Sequence, residues 1–226
     1  MLNIGHRGAK GYFPENTLLS INKAIELGAD WVEIDVRWLD GEIIVFHDAD
    51  VDRTTDGSGL LQNYSYKELK QLDAGGGENV PTLKDVIQEI SGRVGLIIEL
   101  KSLAVAKSVA DLISQLSDND WKNKKLIVSS FNMGALRRVF ELSPNIQLGV
   151  LVKQNIKTGF DWAAKLKAHS FHVSLTLIST EIVNKAHFLG LKVYVYTVNE
   201  PNDIKLMQKI NVDGVFCDYP DRISKD

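Results

Sequence analysis

The 226-residue chain reads as an α/β protein, a (β/α)8 TIM barrel with a small insertion after the second strand. Three observations predict this. Short apolar runs of strand length alternate with amphipathic helical stretches almost to the C-terminus. Eight such runs fit into a length typical of one such barrel. The ionisable side chains also cluster at the ends of these runs, the position from which barrels build active sites. No GxGxxG or Walker A sequence occurs to favour an open nucleotide-binding sheet.

Strands are expected at 2–5, 31–37, 95–100, 126–130, 146–151, 170–174, 192–197 and 213–217. Leu18, Ile21 and Ile25, ending at Gly28, keep helical spacing between the first two. Asp40-Gly41 lies between two apolar runs, a strong hairpin signal, so 31–38 and 43–47 are read as antiparallel. The 43–47 run is then an extension above the barrel. Such a hairpin sets Asp35 opposite Phe46 and Glu33 opposite Asp48, which brings His47 near both carboxylates. Residues 49–80, rich in Gly, Asp and Tyr, are expected to form an irregular insertion capping the site, with Gly75-Gly76-Gly77 a flexible loop. Thr82 with Asp85 predicts a capping box opening a helix at Leu83. Later helices are marked by Val105, Val109, Leu112 and Leu116, by Ile182, Ala186 and Leu189 before Gly190, and by Ile204, Met207 and Ile210.

Composition narrows the class. Apolar residues make up 44%, enough for one sizeable core spanning a single domain, 1–226. A net charge of −3 argues against a nucleic-acid partner, which would want a basic excess. The lone cysteine, Cys217, excludes an intrachain disulfide, and its apolar run Gly214-Val215-Phe216 predicts a buried, inert thiol. No apolar stretch approaches the ~18 residues of a membrane span. The first strand begins at Leu2, leaving no room for a signal peptide, so a cytoplasmic protein without stable membrane insertion is expected. Composition sets no oligomeric state.

The strand-end residues carry the chemistry. His6-Arg7, Glu33, Asp35, His47-Asp48, Glu99 and Lys101 are expensive to desolvate unless they pair or bind a ligand. Glu33 and Asp35 are two apart on one strand and share a side, and Glu99 reaches them from the next strand. All three are hard oxygen ligands suited to one divalent cation, Mg2+ or Ca2+, between which ligand type does not choose. The alternative is that they pair with Arg7, Arg37 and Lys101. Three acids ending adjacent strands need more compensation than one lysine supplies, which favours the metal. His6 and His47 suit general acid–base work near neutral pH. His169 and His172, flanking a strand, and His187, in a helix, read as structural or exposed. Asp48-x-Asp50-x-Asp52 has the start of an EF-hand loop, but Arg53 and Gly59 occupy the positions needing Gly and Glu.

Taken in order, His6-Arg7-Gly8, Pro14-Glu15-Asn16-Thr17, Glu33-Ile34-Asp35, His47-Asp48, Arg53-Thr54-Thr55, Glu99-Leu100-Lys101, Ser130-Phe131, Tyr196-Thr197-Val198-Asn199 and Asp213-Gly214 with Asp218-Tyr219-Pro220 resemble the glycerophosphodiester phosphodiesterase family. The resemblance runs from the first strand to the last. It implies a metal-dependent barrel enzyme of glycerol and lipid metabolism that hydrolyses glycerophosphodiesters to sn-glycerol 3-phosphate and an alcohol. Two positions depart from the family's habit: Tyr196 stands where Trp is usual, and Cys217 where Thr is usual. The first touches substrate packing and the second the core, so neither threatens the chemistry.

On that reading Arg7 clamps a phosphate oxygen through its planar donors, and Lys101 acts as a point charge or as a partner for Glu99. One histidine deprotonates the attacking oxygen, which the resemblance suggests is the glycerol hydroxyl beside the phosphate, giving a cyclic phosphate; the other protonates the departing alcohol. Either histidine fits either role. Phe131 and Tyr196 are candidates for apolar walls around glycerol, or for ordinary barrel-top packing. Glu15 is expected to orient Arg7 or the metal shell, and Asn16 to do the same or to cap the helix after it. Two other readings compete. A lysophospholipase D would want an apolar rim that no insertion supplies, and a binding protein on an inactive barrel would need none of these residues together. Head-group preference is not legible in the chain.

Overall fold

A computed structural model describes residues 1–116 and 125–223. Eight parallel strands close into a barrel: β1 (Leu2–His6), β2 (Trp31–Leu39), β4 (Gly95–Leu100), β5 (Leu126–Ser130), β6 (Gln147–Val152), β7 (Ser170–Ser174), β8 (Lys192–Tyr196) and β9 (Gly214–Cys217). Closure comes from β1, which pairs with both β2 and β9. The short β3 (Glu42–Val45) stands apart, antiparallel to β2. The (β/α)8 barrel expected from the sequence is the fold found.

Period-two alternation sorts the side chains. One set faces the helices and forms the main apolar core. The other faces the barrel axis, where Ile4, Ile97, Ile127, Tyr194 and Phe216 cluster with Trp31 and Tyr196 around them. Following the inward set up each strand leads from Ile4 to His6, from Trp31 to Glu33 and Asp35, and from Ile97 to Glu99. The register puts His6 level with Glu33 and Asp35 level with Glu99. A largely apolar plug thus fills the lower barrel and charged groups begin where it ends. Gly95 sits opposite Trp31, where a Cβ would lie 2.1 Å from the indole, so glycine makes room for that plug.

The hairpin register is the one expected. Asp40 and Gly41 turn at φ +50 and +87, Val36 pairs with Val45, and the Phe46 N–H donates to the Asp35 carbonyl at 2.9 Å. Helix α1 (Leu18–Glu26) is capped by Thr17. The short α2 (Tyr66–Leu69) and α3 (Leu83–Ile90) each open on a capping box, Ser65/Glu68 and Thr82/Asp85. Helix α4 (Ala106–Ser114) ends before Leu116, the last residue of its predicted apolar stripe.

The insertion is more built than expected. It carries α2 and a 3-10 turn at Leu61–Asn63, and Val51, Leu61, Leu69, Ala74 and Val80 pack with Leu39, Ile44 and Phe46 into a second small core. Gly75-Gly76-Gly77 is a wrapped turn in place of a loose loop: the Gly75 and Gly77 N–H groups donate to Asp73 Oδ1 at 2.7 and 3.0 Å, with all three glycines at positive φ.

His172 is structural, one of the two readings expected, although it does not flank the strand. It lies within β7 and points into the sealed barrel interior, with Nε2 2.8 Å from Ser170 Oγ and its ring beside Tyr194 and Phe216. Burial drives its pKa down to about 3, so it is neutral. His187 sits on the helix Thr180–Phe188, 2.7 Å from Asp213. Cys217 is fully buried, and burial raises its pKa to about 11, as an inert thiol requires. No helix among the described residues is long and apolar enough to cross a membrane.

Candidate active site

At the C-terminal end of the barrel a cleft of about 170 Å³ is lined by His6, Arg7, Glu33, His47, Glu99, Lys101, Phe131 and Tyr196, joined by Ser129, Leu151, Thr197 and Phe216. Sequence reasoning does not single out the last four. Asp35, level with Glu99 in the strand register, is fully buried and is not part of this lining.

Carboxylate oxygens of Glu33, Asp35 and Glu99 lie within 4.8 Å of one another. The cations beside them are Arg7, with Nε 3.1 Å from Asp35, and Lys101, with Nζ 2.7 Å from Glu99 and 3.3 Å from Asp35. The ion-pair reading is therefore half right, but Arg37 takes no part: its Nε and Nη2 donate to the His47 carbonyl. Two cations stand against three acids, so the carboxylates are unequally compensated. Burial, with repulsion from Asp35 and Glu99, pushes Glu33 well above the ordinary carboxylate range. Burial and Asp35 raise Glu99 despite Lys101. For Asp35 burial works against ionisation, but Lys101 and Arg7 outweigh it and hold the pKa low. Burial likewise opposes the charge on Arg7 and Lys101, and the acids around them more than offset it.

A hard divalent cation fits this set. Three oxygen donors converge, and Asp35 Oδ1, although near Lys101, is buried without a hydrogen bond of good geometry. The residues that fix the acids hold unusual backbone. Arg7 and Asn16 both adopt positive φ, +52 and +61, of the kind that concentrates at functional sites. The Arg7 N–H thereby donates to Glu33 Oε2 at 3.1 Å. Asn16 does not cap α1; its amide donates to Asp35 Oδ2 at 3.0 Å and its oxygen accepts the Asp35 N–H at 3.2 Å. Glu15 orients Arg7, with Oε1 2.8 Å from Nη1.

Each cleft histidine is held by an aspartate. His6 Nδ1 is 2.6 Å from Asp218 Oδ1, and Asp218 is itself fixed by the Asn199 amide at 2.8 Å. His47 Nδ1 contacts Asp48 Oδ1. Both aspartates have pKa values near 2: burial opposes ionisation in each, but the His6 and Asn199 bonds prevail at Asp218, and Arg53 and His47 prevail at Asp48. Burial lowers both histidine pKa values, more than the adjacent carboxylates raise them. Each imidazole thus has one nitrogen engaged by a carboxylate, the arrangement that fixes orientation for proton transfer. Sequence reasoning leaves Asp218 and Asn199 without a role although both fall in the ordered motifs, because their partner lies across the barrel closure.

The remaining wall is apolar. Phe131 and Tyr196 meet edge-to-face with ring centroids 5.9 Å apart, and Tyr196 turns its hydroxyl away to the Val152 carbonyl at 2.7 Å.

A barrel with acids, two cations and two carboxylate-held imidazoles at one rim has the inventory of a hydrolase for an anionic ester. The chain belongs to the glycerophosphoryl diester phosphodiesterase family, whose model matches residues 6–222, and it is accordingly an enzyme of the phosphoric diester hydrolase class. It is 34% identical to a glycerophosphodiester phosphodiesterase of Caldanaerobacter subterraneus, with 98% of this chain and 96% of that one covered. An Oleispira antarctica phosphodiesterase, solved in complex with the product sn-glycerol-3-phosphate, superposes with a TM-score of 0.90 at 34% identity, covering 99% of this chain and 95% of that one. A Thermotoga maritima glycerophosphodiester phosphodiesterase structure gives a TM-score of 0.83 at 28% identity, covering 98% and 96%.

Proposed function

We propose that this chain hydrolyses glycerophosphodiesters to sn-glycerol 3-phosphate and an alcohol, with a divalent cation as cofactor and His6 and His47 as the acid–base pair. The observation that carries the reading is that both imidazoles, both cations, Glu33 and Glu99 line one cleft, with the buried Asp35 carboxylate within 4.8 Å of the other two acids. Relatives bearing that activity, one of them solved with sn-glycerol-3-phosphate, support it. A Mg2+ or Ca2+ ion held by Glu33, Asp35 and Glu99 would offset the charge of the diester and acidify the attacking hydroxyl. Arg7 and Lys101 hold the phosphate oxygens. One histidine takes the proton of the substrate's neighbouring glycerol hydroxyl as its oxygen bonds to phosphorus. The other gives its proton to the alcohol oxygen as the old P–O bond breaks. Water then opens the cyclic phosphate with the two roles exchanged, which returns both histidines to their starting states. Phe131 and Tyr196 supply apolar faces for the glycerol carbons. The cytoplasmic location and single-domain organisation, with 49–80 capping the site, belong to the same proposal; the buried, unbridged Cys217 is consistent with a reducing compartment.

The test is glycerol 3-phosphate release from glycerophosphocholine, with and without EDTA, and with Mg2+ or Ca2+ restored. Release is expected to vanish in chelator and return with metal, and Glu99→Gln should weaken metal affinity by about 10-fold or more. Hydrolysis indifferent to EDTA would remove the cofactor. Failure on every glycerophosphodiester would favour a binding role.

A further inference from the structure

Arg53, from the motif Arg53-Thr54-Thr55, lies in the insertion and does not border the cleft, yet it joins two parts of the machinery. Its Nε donates to Asp48 Oδ2 at 2.6 Å, on the carboxylate whose other oxygen engages His47. Its Nη1 and Nη2 donate to Glu15 Oε2 and Oε1 at 2.9 and 2.7 Å, and Oε1 also receives the Arg7 Nη1 donor at 2.8 Å. All three guanidinium nitrogens are thus engaged by two carboxylates that contact two different site residues. A planar fork can do this and a lysine cannot. Glu15 is largely covered, 8% exposed, although Arg53 itself is half-exposed. An exposed arginine paired to one surface acid contributes little. One that bridges two acids behind a catalytic histidine and a phosphate clamp limits the freedom of both.

We infer that Arg53 is a positioning residue for the hydrolysis proposed above, aligning His47 through Asp48 and Arg7 through Glu15. The inference rests on that reading of the cleft. It gives the insertion a definite role, since besides covering the barrel the segment supplies the side chain that couples the proton-transfer group to the anion-binding group. The two branches predict separable effects. The Asp48 branch governs turnover, through the orientation of His47, and the Glu15 branch governs substrate capture, through Arg7.

The experiment compares steady-state kinetics of metal-loaded wild type, Arg53→Gln and Arg53→Lys on glycerophosphocholine, then repeats Arg53→Gln in Asp48→Asn and Glu15→Gln backgrounds. Arg53→Gln is expected to lower kcat about 10- to 100-fold and to raise KM several-fold, the range for loss of a residue that orients an active-site group. Arg53→Lys, able to reach one acid at a time, should recover part of the loss. In the Asp48→Asn background the kcat effect of Arg53→Gln should disappear while the KM effect stays, and the Glu15→Gln background should show the reverse. Equal losses in every background, with a lowered melting temperature, would make Arg53 a structural anchor and overturn the inference. Should Arg53→Gln not fold, Arg53→Lys decides: wild-type kinetics would overturn the role and a reduced kcat would support it. If His47→Ala is inactive while Arg53→Gln keeps full activity, this inference fails and the proposed function stands. If wild type hydrolyses no diester, both fall.

Discussion

The two cleft histidines make the same kind of contact from unlike scaffolds. His6 ends β1, a strand paired on both sides in the closed barrel, and its aspartate follows β9, the strand beside it. The pair is well covered, 14% and 15% exposed. His47 lies two residues past β3, a short hairpin strand paired with β2 and joined on its other edge by an isolated bridge from Ile44 to Thr82, and the exposures of His47 and Asp48 are 29% and 21%. Its backbone is held by Arg37 and its aspartate by Arg53. One dyad is thus fixed by sheet closure and the other by two arginines. Rigid barrel strands give position without further help, whereas a group on an extension must be tied down by side chains, and those ties are open to single substitutions.

The largest effect tests whether the two sites are chemically equivalent. His6→Ala and His47→Ala should each cut turnover about 10²- to 10⁴-fold with the fold intact, the usual span for general acid–base groups. Near-full activity of either variant with normal metal occupancy would remove that residue's role. A glycerophosphodiester with a p-nitrophenol leaving group separates the roles. The variant lacking the acid should recover much of its rate on that ester, because the phenolate departs without a proton, and the variant lacking the base should not.

A middle-sized effect separates the scaffolds. Asp218→Asn and Asp48→Asn should each lower kcat about 10- to 100-fold. Their pH profiles carry a sign. Burial sets both histidine pKa values below the ordinary 6.5, so the acid limb of kcat/KM, where the base becomes protonated, is expected below that pH. Each aspartate raises the pKa of its own histidine, so its removal moves that limb further down. Only the variant beside the base should show the shift. A limb unmoved in both variants would mean that neither histidine is the titrating base.

The smallest effect concerns the hairpin alone. Arg37→Gln removes the two donors on the His47 carbonyl and should slow turnover a few-fold, with little change in melting temperature. An effect as large as that of Asp48→Asn would mean that the hairpin backbone, more than the aspartate, positions the imidazole.

Much of this was legible from residue spacing. The two-residue step from Glu33 to Asp35 put both on the barrel axis, and Asp40-Gly41 fixed the register that brings His47 above Asp35. Glu15 beside Arg7 was likewise expected. Less legible were the contacts made by side chains from distant elements. Asn16 sits one residue before the true cap, Thr17, and its left-handed backbone turns its amide to Asp35 instead. His172 lies at a strand position whose inward direction depends on strand register, and nothing local distinguishes it from a surface histidine.

The chain by itself determined the alternation of strands and helices, the hairpin, and the level at which apolar inward residues give way to charged ones, because side-chain period, turn preference and helix caps act over a few residues. Tertiary structure alone decided that Asp218 meets His6, 212 positions away, and that Arg53 reaches both Asp48 and Glu15. Those meetings depend on barrel closure and on how the insertion packs, and the chain separations involved leave no periodic trace in the sequence.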